Sequence, residues 1–382
     1  MTNGIAFMTQ ATKGQKFNPK ILLPAAGCLT VLAIFAGSQV KAYGDSDGVG
    51  VEAPLGSNIT NSPDDIVRFV PDNLFAVDFV TAQLGWVAGY YGTLLKTEDA
   101  GLTWSYLPLP YNELVRRVEF VDYATGWAIT HSGKILKSTD GGGTWEIQFE
   151  MPGINLRDIF FINVQEGWVV GHEATILHTT DGGLTWAEQE LENYQGRDLP
   201  RLSGIAGSRS GALVLVGEFG TIAISKDAGE LWQIVSPENL TATFTDIAFI
   251  DDDRAIATAL GGIIARIEFS APAADVDPAN DAHASGPLVE VEVVKLEQAG
   301  HLFSVEAVTH DDALVAGVGD IFQIDWSGDI KPLECAESEG PNTWYGGIAR
   351  RPETSSFVAV GGAGAVIDFE SPAGTCARLV RW

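Results

Sequence analysis

The protein has 382 residues, with 50 acidic and 23 basic side chains and a net charge of −27. A surface this negative repels phosphate backbones and anionic lipid headgroups, which argues against nucleic-acid binding and electrostatic membrane docking. Hydrophobic residues make up 46% and charged residues 19% of the sequence, so the bulk of the chain is not disordered. Abundant glycine, frequent tryptophan and scarce methionine favour strands and tight turns over a helical bundle.

The first 42 residues are typical of an export signal. They hold four lysines and no acid, so the remaining residues carry a net charge of −31. Three of the lysines precede an uncharged stretch at residues 21–40, and Val40 and Ala42 are the small residues expected before a cleavage site. Residues 1–42 are therefore predicted to be a signal peptide cut after Ala42, or a membrane anchor through residues 21–40. A lipoprotein site at Cys28 is a third interpretation.

A repeat with the pattern Ser/Thr-x-Asp-x-Gly-x-x-Trp follows, which is the Asp-box or BNR motif. Its aspartates are spaced 41, 41 and 46 residues apart, and a Gly-Trp pair recurs with the same 41-residue step. The aspartates and tryptophans of the four boxes are Asp99 and Trp104, Asp140 and Trp145, Asp181 and Trp186, and Asp227 and Trp232. Aspartate can accept hydrogen bonds from turn amides, glycine permits positive φ, and tryptophan packs the turn onto a sheet. A structural role is therefore predicted, and neither catalysis nor calcium binding is needed to explain the motif.

Weaker copies extend the repeat to seven units of four short strands between residues 73 and 382. Such a period predicts an all-β, seven-bladed β-propeller, whose radial closure protects the sheet edges. Its bounds are predicted as 64–382, after a flexible tether at 43–63 and with a disordered insertion in blade five at 270–287. The outer strand of blade seven is either residues 377–382 or the returning segment 66–69. Whether Cys335 and Cys376 form a disulfide stays open.

Arginine recurs where the chain enters the innermost strands. Arg116 and Arg157 both stand eleven residues before a Gly-Trp tryptophan, Arg117 is adjacent, and Arg201 is equivalent within a residue or two. Because the starts of the inner strands converge on one mouth of a propeller channel, these four arginines are predicted to form a basic patch that binds a partner.

One extension of this hypothesis and one alternative to it stay open. Arg350 and Arg351 are possible further members of the patch. The alternative interpretation pairs the arginines with Glu113, Asp158 and Asp198 as surface ion pairs.

Catalytic and metal-binding interpretations have less support. A sialidase-like hydrolase would need an arginine cluster, a tyrosine nucleophile assisted by glutamate, and an acid/base aspartate. Tyrosines and arginines are present, but no Phe-Arg-Ile-Pro motif occurs. His131 and His172 lack zinc-site spacing and are predicted to cap strand ends, and the acidic run Asp251–Asp253 is predicted to be a solvated turn. No metal and no cofactor are expected.

The repeat length, the Gly-Trp-x-x-Gly strands, the Thr-x-Asp-Gly-Gly-x-Thr-Trp turns and the export signal together resemble the photosystem II stability/assembly factor family and its bacterial relatives. The resemblance is clearest over residues 73–235. It implies a non-catalytic, monomeric propeller in the bacterial periplasm or the thylakoid lumen, which acts as an assembly scaffold. It further implies that Arg116, Arg117, Arg157 and Arg201 bind a membrane protein subunit or its exported loop or tail. The alternatives are a periplasmic accessory of a transporter or exporter complex, and a sialidase-like glycoside hydrolase.

Overall fold

The computed structural model describes residues 73–109, 111–192, 194–270, 288–333, 343–371 and 375–380. These residues form seven antiparallel sheets of four strands each, one of which gains a fifth short strand. The prediction of an all-β, seven-bladed propeller is confirmed. The predicted signal or anchor, the tether, Cys335 and residues 271–287 of the predicted insertion lie outside the described residues, whereas Ser270 is the last residue of a strand. Within the described ranges no helix has the length and apolar character needed to cross a membrane.

The strands of each blade run in sequence from the channel outward. Blades one to three consist of β1(Leu74–Phe79), β2(Gly85–Gly89), β3(Leu94–Thr97) and β4(Ser105–Tyr106); β5(Val115–Phe120), β6(Gly126–Thr130), β7(Lys134–Ser138) and β8(Glu146–Glu150); and β9(Leu156–Phe161), β10(Gly167–Gly171), β11(Ile176–Thr179) and β12(Ala187–Gln189). Blade four consists of β14(Leu202–Gly207), β15(Leu213–Gly217), β16(Ile222–Ser225) and β17(Trp232–Ile234), and the short β13(Leu191–Glu192) adds in parallel to β17.

The last three blades follow the same order. They consist of β18(Phe244–Phe249), β19(Arg254–Ala259), β20(Ile263–Ser270) and β21(Leu288–Lys295); β22(Leu302–Ala307), β23(Asp312–Gly317), β24(Ile321–Asp325) and β25(Ile330–Pro332); and β26(Tyr345–Arg350), β27(Ser356–Gly361), β28(Val366–Glu370) and β29(Thr375–Val380). Two 3-10 turns occur at Tyr90–Gly92 and Gly362–Gly364.

The outer strand of blade seven comes from the C-terminal part of the chain. β29 pairs antiparallel with β28, which confirms the first of the two predicted alternatives. The other candidate, residues 66–69, lies outside the described residues. Blades seven and one are joined by side chains, because Arg351 donates to the Ala100 carbonyl at 2.6 Å and Ala363 N–H donates to Asn73 Oδ1 at 2.9 Å.

Aromatic stacking joins the first three blades. Trp86 of blade one stacks on Phe120 of blade two with ring centroids 3.6 Å apart, and Phe120 also meets Trp145 edge-on at 5.9 Å. The next pair of blades repeats this arrangement with Trp127 and Phe161. The glycine before each tryptophan is required, since a Cβ at Gly126 would lie 2.4 Å from the Phe120 ring. Tryptophan and phenylalanine together therefore fix how neighbouring blades face each other.

The Asp boxes close the turns between the third and fourth strands. Asp140 Oδ1 accepts a hydrogen bond from Thr144 N–H at 2.8 Å, and Asp140 Oδ2 accepts one from the Thr144 hydroxyl at 2.8 Å. The other boxes place aspartate in the same position. The Thr185 hydrogen bonds lower the pKa of Asp181 to about 2. Since the strands alternate in direction, these turns lie at the opposite end of the blades from the starts of the inner strands.

The channel-facing edges of the inner strands are capped by side chains of the preceding blade. Phe120 N–H donates to Asp78 at 2.7 Å, Phe161 N–H donates to Glu119 at 3.0 Å, and Ile205 N–H donates to Asp158 at 2.9 Å. Asp246 and Ser304 do the same for the inner strands of blades six and seven. These contacts satisfy edge groups that no neighbouring strand pairs, and they connect blades around the channel.

Candidate functional site at the channel mouth

Each inner strand has a β-bulge at its second residue. In all seven blades the pairing of the first and second strands skips this residue. A bulge takes a residue out of the regular alternation, and here it brings all seven bulged residues to the lining of one cavity. The bulged residues, in blade order, are Phe75, Arg116, Arg157, Ser203, Thr245, Phe303 and Gly346.

The cavity has a volume of about 320 Å³ and is lined by residues of all seven blades. A site to which every blade contributes lies on the ring axis, so this cavity is the mouth of the central channel; we call it the channel mouth. Its remaining lining residues are Arg201, Thr243, Leu260, Val318 and Trp344. Three of the four arginines predicted from sequence, Arg116, Arg157 and Arg201, are thus brought together; we call them the arginine sector.

Positive charge in the arginine sector is incompletely neutralised. Arg201 pairs with Glu218 at 2.9 Å, whereas Arg116 and Arg157 make no ion pair with any described residue. The Arg157 Nε is buried without a hydrogen-bond acceptor. Burial, Arg117 and Arg201 lower the pKa of Arg116 to about 10, and burial, Arg116 and Arg201 hold the pKa of Arg157 well below its usual range. The channel mouth is therefore prepared to accept an anion, which would relieve this mutual repulsion.

Arg117, the fourth predicted arginine, points elsewhere. Its Nε lies 2.8 Å from Asp158 Oδ1 and its Nη2 lies 2.9 Å from Asp246 Oδ1, so it ties blades two, three and five together. Burial opposes its charge, but Asp158 and Asp246 outweigh that effect and raise the pKa of Arg117. Arg117 is thus engaged in a structural network, and it does not line the cavity.

Other predicted ion pairs have different partners from those expected. Glu113 pairs with Lys134, and Asp198 lies 3.9 Å from Arg197. Of the three carboxylates predicted from sequence to pair with these arginines, only Asp158 does so in the described part of the chain, and that contact, with Arg117, is partly buried.

The suggestion that Arg350 and Arg351 join the patch is wrong. Arg350 ends its inner strand, at the opposite end from the mouth, and donates to the carbonyls of Thr354 and Val308. Arg351 makes a two-point ion pair with Asp368 at 2.8 Å. Blade seven places Gly346 at the bulge instead.

Aromatic residues form the part of the channel mouth that the sequence interpretation missed. Phe75 and Phe303 occupy the bulge position in blades one and six, and Trp344 immediately precedes the inner strand of blade seven. We call these three residues the aromatic sector. The register that selected Arg116 and Arg157 also selects Phe75 and Phe303, so comparison of this position in all seven repeats would have found them.

Histidines and carboxylates predicted to be structural have such contacts. The backbone N–H of His131 donates to the Leu114 carbonyl and that of His172 to the Asn155 carbonyl, both at 3.0 Å, so both residues pair through the main chain just beyond a strand end. Burial and the nearby Arg157 lower the pKa of both imidazoles. Asp251 accepts from Arg254 within its turn at 2.8 Å. No group of three or more metal-ligating side chains with suitable geometry occurs in the described part of the chain.

The arrangement supplies only part of a sialidase site. Three arginines converge, as carboxylate binding requires, but the described residues that line the channel mouth include no tyrosine and no carboxylate. The cavity therefore has groups that can bind an anion, but its described lining lacks the tyrosine and carboxylates that sialidase-like hydrolysis would need.

Three carboxyl groups deeper in the inner strands titrate abnormally. Burial raises the pKa of Asp78 to about 6 and, with the nearby Asp246 and Asp78, raises that of Glu306 to about 8. Burial also raises the pKa of Glu119 well above its usual range. Ionising such a group costs more in the folded chain than in the unfolded chain.

We therefore expect the melting temperature to fall as pH rises. The unfolded chain releases the Glu306 proton near the ordinary glutamate pKa and the folded chain near pH 8, so stability present at low pH is lost across this window. Glu306→Gln should flatten the fall between about pH 5 and pH 8 and raise the melting temperature at pH 8 by at least about 2 °C. Calorimetry should show no such change for Glu290→Gln, an exposed control.

Comparisons with known proteins agree with this fold. The family model "Photosynthesis system II assembly factor YCF48" matches residues 57–148 and 99–200. The resemblance to the photosystem II assembly factor family is thereby confirmed. A search of the curated proteins finds no match.

Solved structures of the same fold include two YCF48 proteins. "YCF48 bound to D1 peptide" is 20% identical with a TM-score of 0.59, covering 78% of this chain and 94% of that one. YCF48 from Cyanidioschyzon merolae is 17% identical with a TM-score of 0.60, covering 78% and 95%. An ancestral GH74 enzyme is 12% identical with a TM-score of 0.60, covering 80% of this chain and 46% of that one. At these identities the likeness concerns the fold alone.

Proposed function

We propose that this protein is a non-catalytic, exported assembly factor that binds an acidic segment of a membrane protein subunit at the channel mouth. The observation that carries the proposal is the convergence of Arg116, Arg157 and Arg201 in one cavity of an otherwise acidic protein. Arg116 and Arg157 make no ion pair with a described residue, and Asp158 attracts both guanidinium groups from beyond ion-pair distance, so an incoming carboxylate would be their first direct partner. A structure of the related YCF48 fold bound to a D1 peptide supports a peptide ligand for this kind of propeller.

The electrostatics favour a local rather than a general attraction. The protein as a whole repels acidic partners, whereas the channel mouth concentrates three guanidinium groups at one end of the ring. An acidic segment that reaches the mouth gains charge-assisted hydrogen bonds from several guanidinium groups at once. We further propose that the N-terminal 42 residues deliver the propeller to the periplasm or lumen, where it acts as a monomer.

Reversal of charge at the mouth tests the proposal. The double variant Arg116→Glu/Arg157→Glu should reduce capture of the membrane partner by at least about tenfold, because two repulsive charges replace two attractive ones. Solubilised membranes provide the partner, and mass spectrometry of the captured proteins provides the readout. The double variant should fold, since the bulge position does not require arginine: serine and threonine occupy it in blades four and five.

The matched control changes the same charge away from the mouth. Arg209 lies in the turn after the blade-four inner strand and Lys331 lies in an outer strand, and both are exposed. Arg209→Glu/Lys331→Glu should leave capture unchanged. Capture that survives the mouth variant, or that both double variants abolish equally, would reject the proposal.

A further inference from the structure

The aromatic sector is an apolar surface that the core does not use. Trp344 lies 5.3 Å from Phe75 and 6.3 Å from Phe303, measured between ring centroids. All three side chains are partly exposed, and none belongs to the seven buried clusters that the described residues form between blades. Leu260 and Val318 extend the apolar lining around the cavity.

Glycines make room for the tryptophan at this place. A Cβ at Gly346 would lie 2.8 Å from the Trp344 ring, and a Cβ at Gly362 would lie 2.7 Å from its Nε1. Any larger residue at either position would displace the indole. The Trp344 ring therefore packs closely against the backbone at Gly346 and Gly362 beside the mouth, and it stays partly exposed although its burial would be favourable.

The two sectors adjoin each other around the same cavity. The Arg116 guanidinium lies 5.1 Å from the Phe75 ring centroid. The arginine sector and the aromatic sector therefore meet between blades one and two. Blades two to four supply cations, and blades six, seven and one supply aromatic rings. On the other side Ser203 and Thr245 separate the sectors with small hydroxyl side chains.

On the basis of the proposed function, we infer that the bound acidic segment carries a bulky apolar side chain next to its carboxylate. The arginine sector holds the carboxylate and the aromatic sector holds the apolar side chain. Charge alone would admit any acidic peptide, whereas an apolar contact selects among them. The cavity volume of about 320 Å³ suits one such side chain together with one carboxylate, because both sectors open into the same space.

A peptide series tests this inference. Three labelled peptides with blocked ends would differ only in a central Glu-Leu, Glu-Ala or Gln-Leu pair, and a fourth would end in Gln-Leu with a free carboxylate. Fluorescence anisotropy with the propeller measures each dissociation constant. Glu-Leu should bind at least about tenfold more tightly than Glu-Ala, since burial of the larger side chain stabilises the complex.

Two variants separate the sectors. Phe75→Ser/Phe303→Ser should reduce the preference for leucine over alanine to less than about threefold while the preference for glutamate over glutamine persists. Arg157→Ser should reduce the preference for glutamate over glutamine while the preference for leucine over alanine persists. Serine is the native residue at this position in blade four, so these variants retain a residue that the bulge accepts. The wild-type series is decisive even where a variant does not fold.

The outcomes distinguish this inference from the proposed function. Equal affinity for Glu-Leu and Glu-Ala would overturn the inference and leave the proposed function standing. Equal affinity for Glu-Leu and Gln-Leu with blocked ends would reject both. Tight binding of Gln-Leu with a free carboxylate would support the inference and assign the carboxylate to the end of a chain.

Discussion

Arg117→Met is expected to lower the free energy of unfolding by about 3–5 kcal/mol, the range for removing one partner of a buried ion pair. The substitution would leave Asp158 and Asp246 without the cation that bridges them, although each keeps a backbone hydrogen bond from the next blade. Both carboxylates are buried, so their uncompensated charge would act within a region of low dielectric constant. Chemical denaturation followed by tryptophan fluorescence measures the loss.

Arg116→Met is the matched control, one residue away. Arg116 makes no ion pair with a described residue, and burial together with Arg117 and Arg201 outweighs the attraction of Asp158 and Asp246, so its removal should leave stability unchanged or raise it. Asp246→Asn should restore part of the stability lost in Arg117→Met, because it removes one of the two unpaired charges. Equal stability of Arg117→Met and the wild type would contradict the structural role given to Arg117.

Trp145→Ala is expected to cost about 3–5 kcal/mol, as for truncation of other buried aromatic side chains. The indole is 7% exposed, donates from Nε1 to the Gly142 carbonyl at 3.0 Å, and meets Phe120 edge-on. Since Phe120 stacks on Trp86 of the preceding blade, the loss would reach the contact between blades one and two. Thermal denaturation measures the effect.

Leu184→Ala supplies the comparison for Trp145→Ala. Leu184 lies in the equivalent turn of blade three but is 73% exposed, so its truncation should change stability by less than about 0.5 kcal/mol. Folded Trp145→Ala protein should bind the acidic peptides normally, because the Asp boxes lie at the far end of the blades. An unchanged melting temperature would refute the structural role of the box tryptophan.

The repeat period predicted the fold because each blade repeats one local pattern of strands and turns. Three of the four arginines lie together as predicted, because the repeat register alone puts Arg116 and Arg157 at the same position of neighbouring blades. Register could not separate Arg116 from Arg117, since a bulge turns one residue into the mouth and leaves its neighbour facing the next blade. The partners of Arg117 come from blades three and five, and such long-range pairing is not visible in a local repeat.

The aromatic sector was missed for a different reason. Phe75, Phe303 and Trp344 are ordinary apolar residues of strand-rich segments. Only the bulge distinguishes Phe75 and Phe303 from core residues, and Trp344 lies just before its inner strand. Arg350 and Arg351 were wrongly suggested as members of the patch, because the suggestion did not consider at which end of the inner strand they lie.

Photo-crosslinking tests whether the channel mouth binds an acidic segment of a membrane protein. One protein would carry a photoreactive amino acid in place of Ser203, and a second would carry it in place of Leu184 at the opposite end of the blades. Each would be illuminated in the presence of solubilised membranes. Position 203 should capture an acidic segment of a membrane protein, and Arg157→Glu should abolish this product. Capture from position 184 alone, or a product at position 203 that persists with Arg157→Glu, would contradict it.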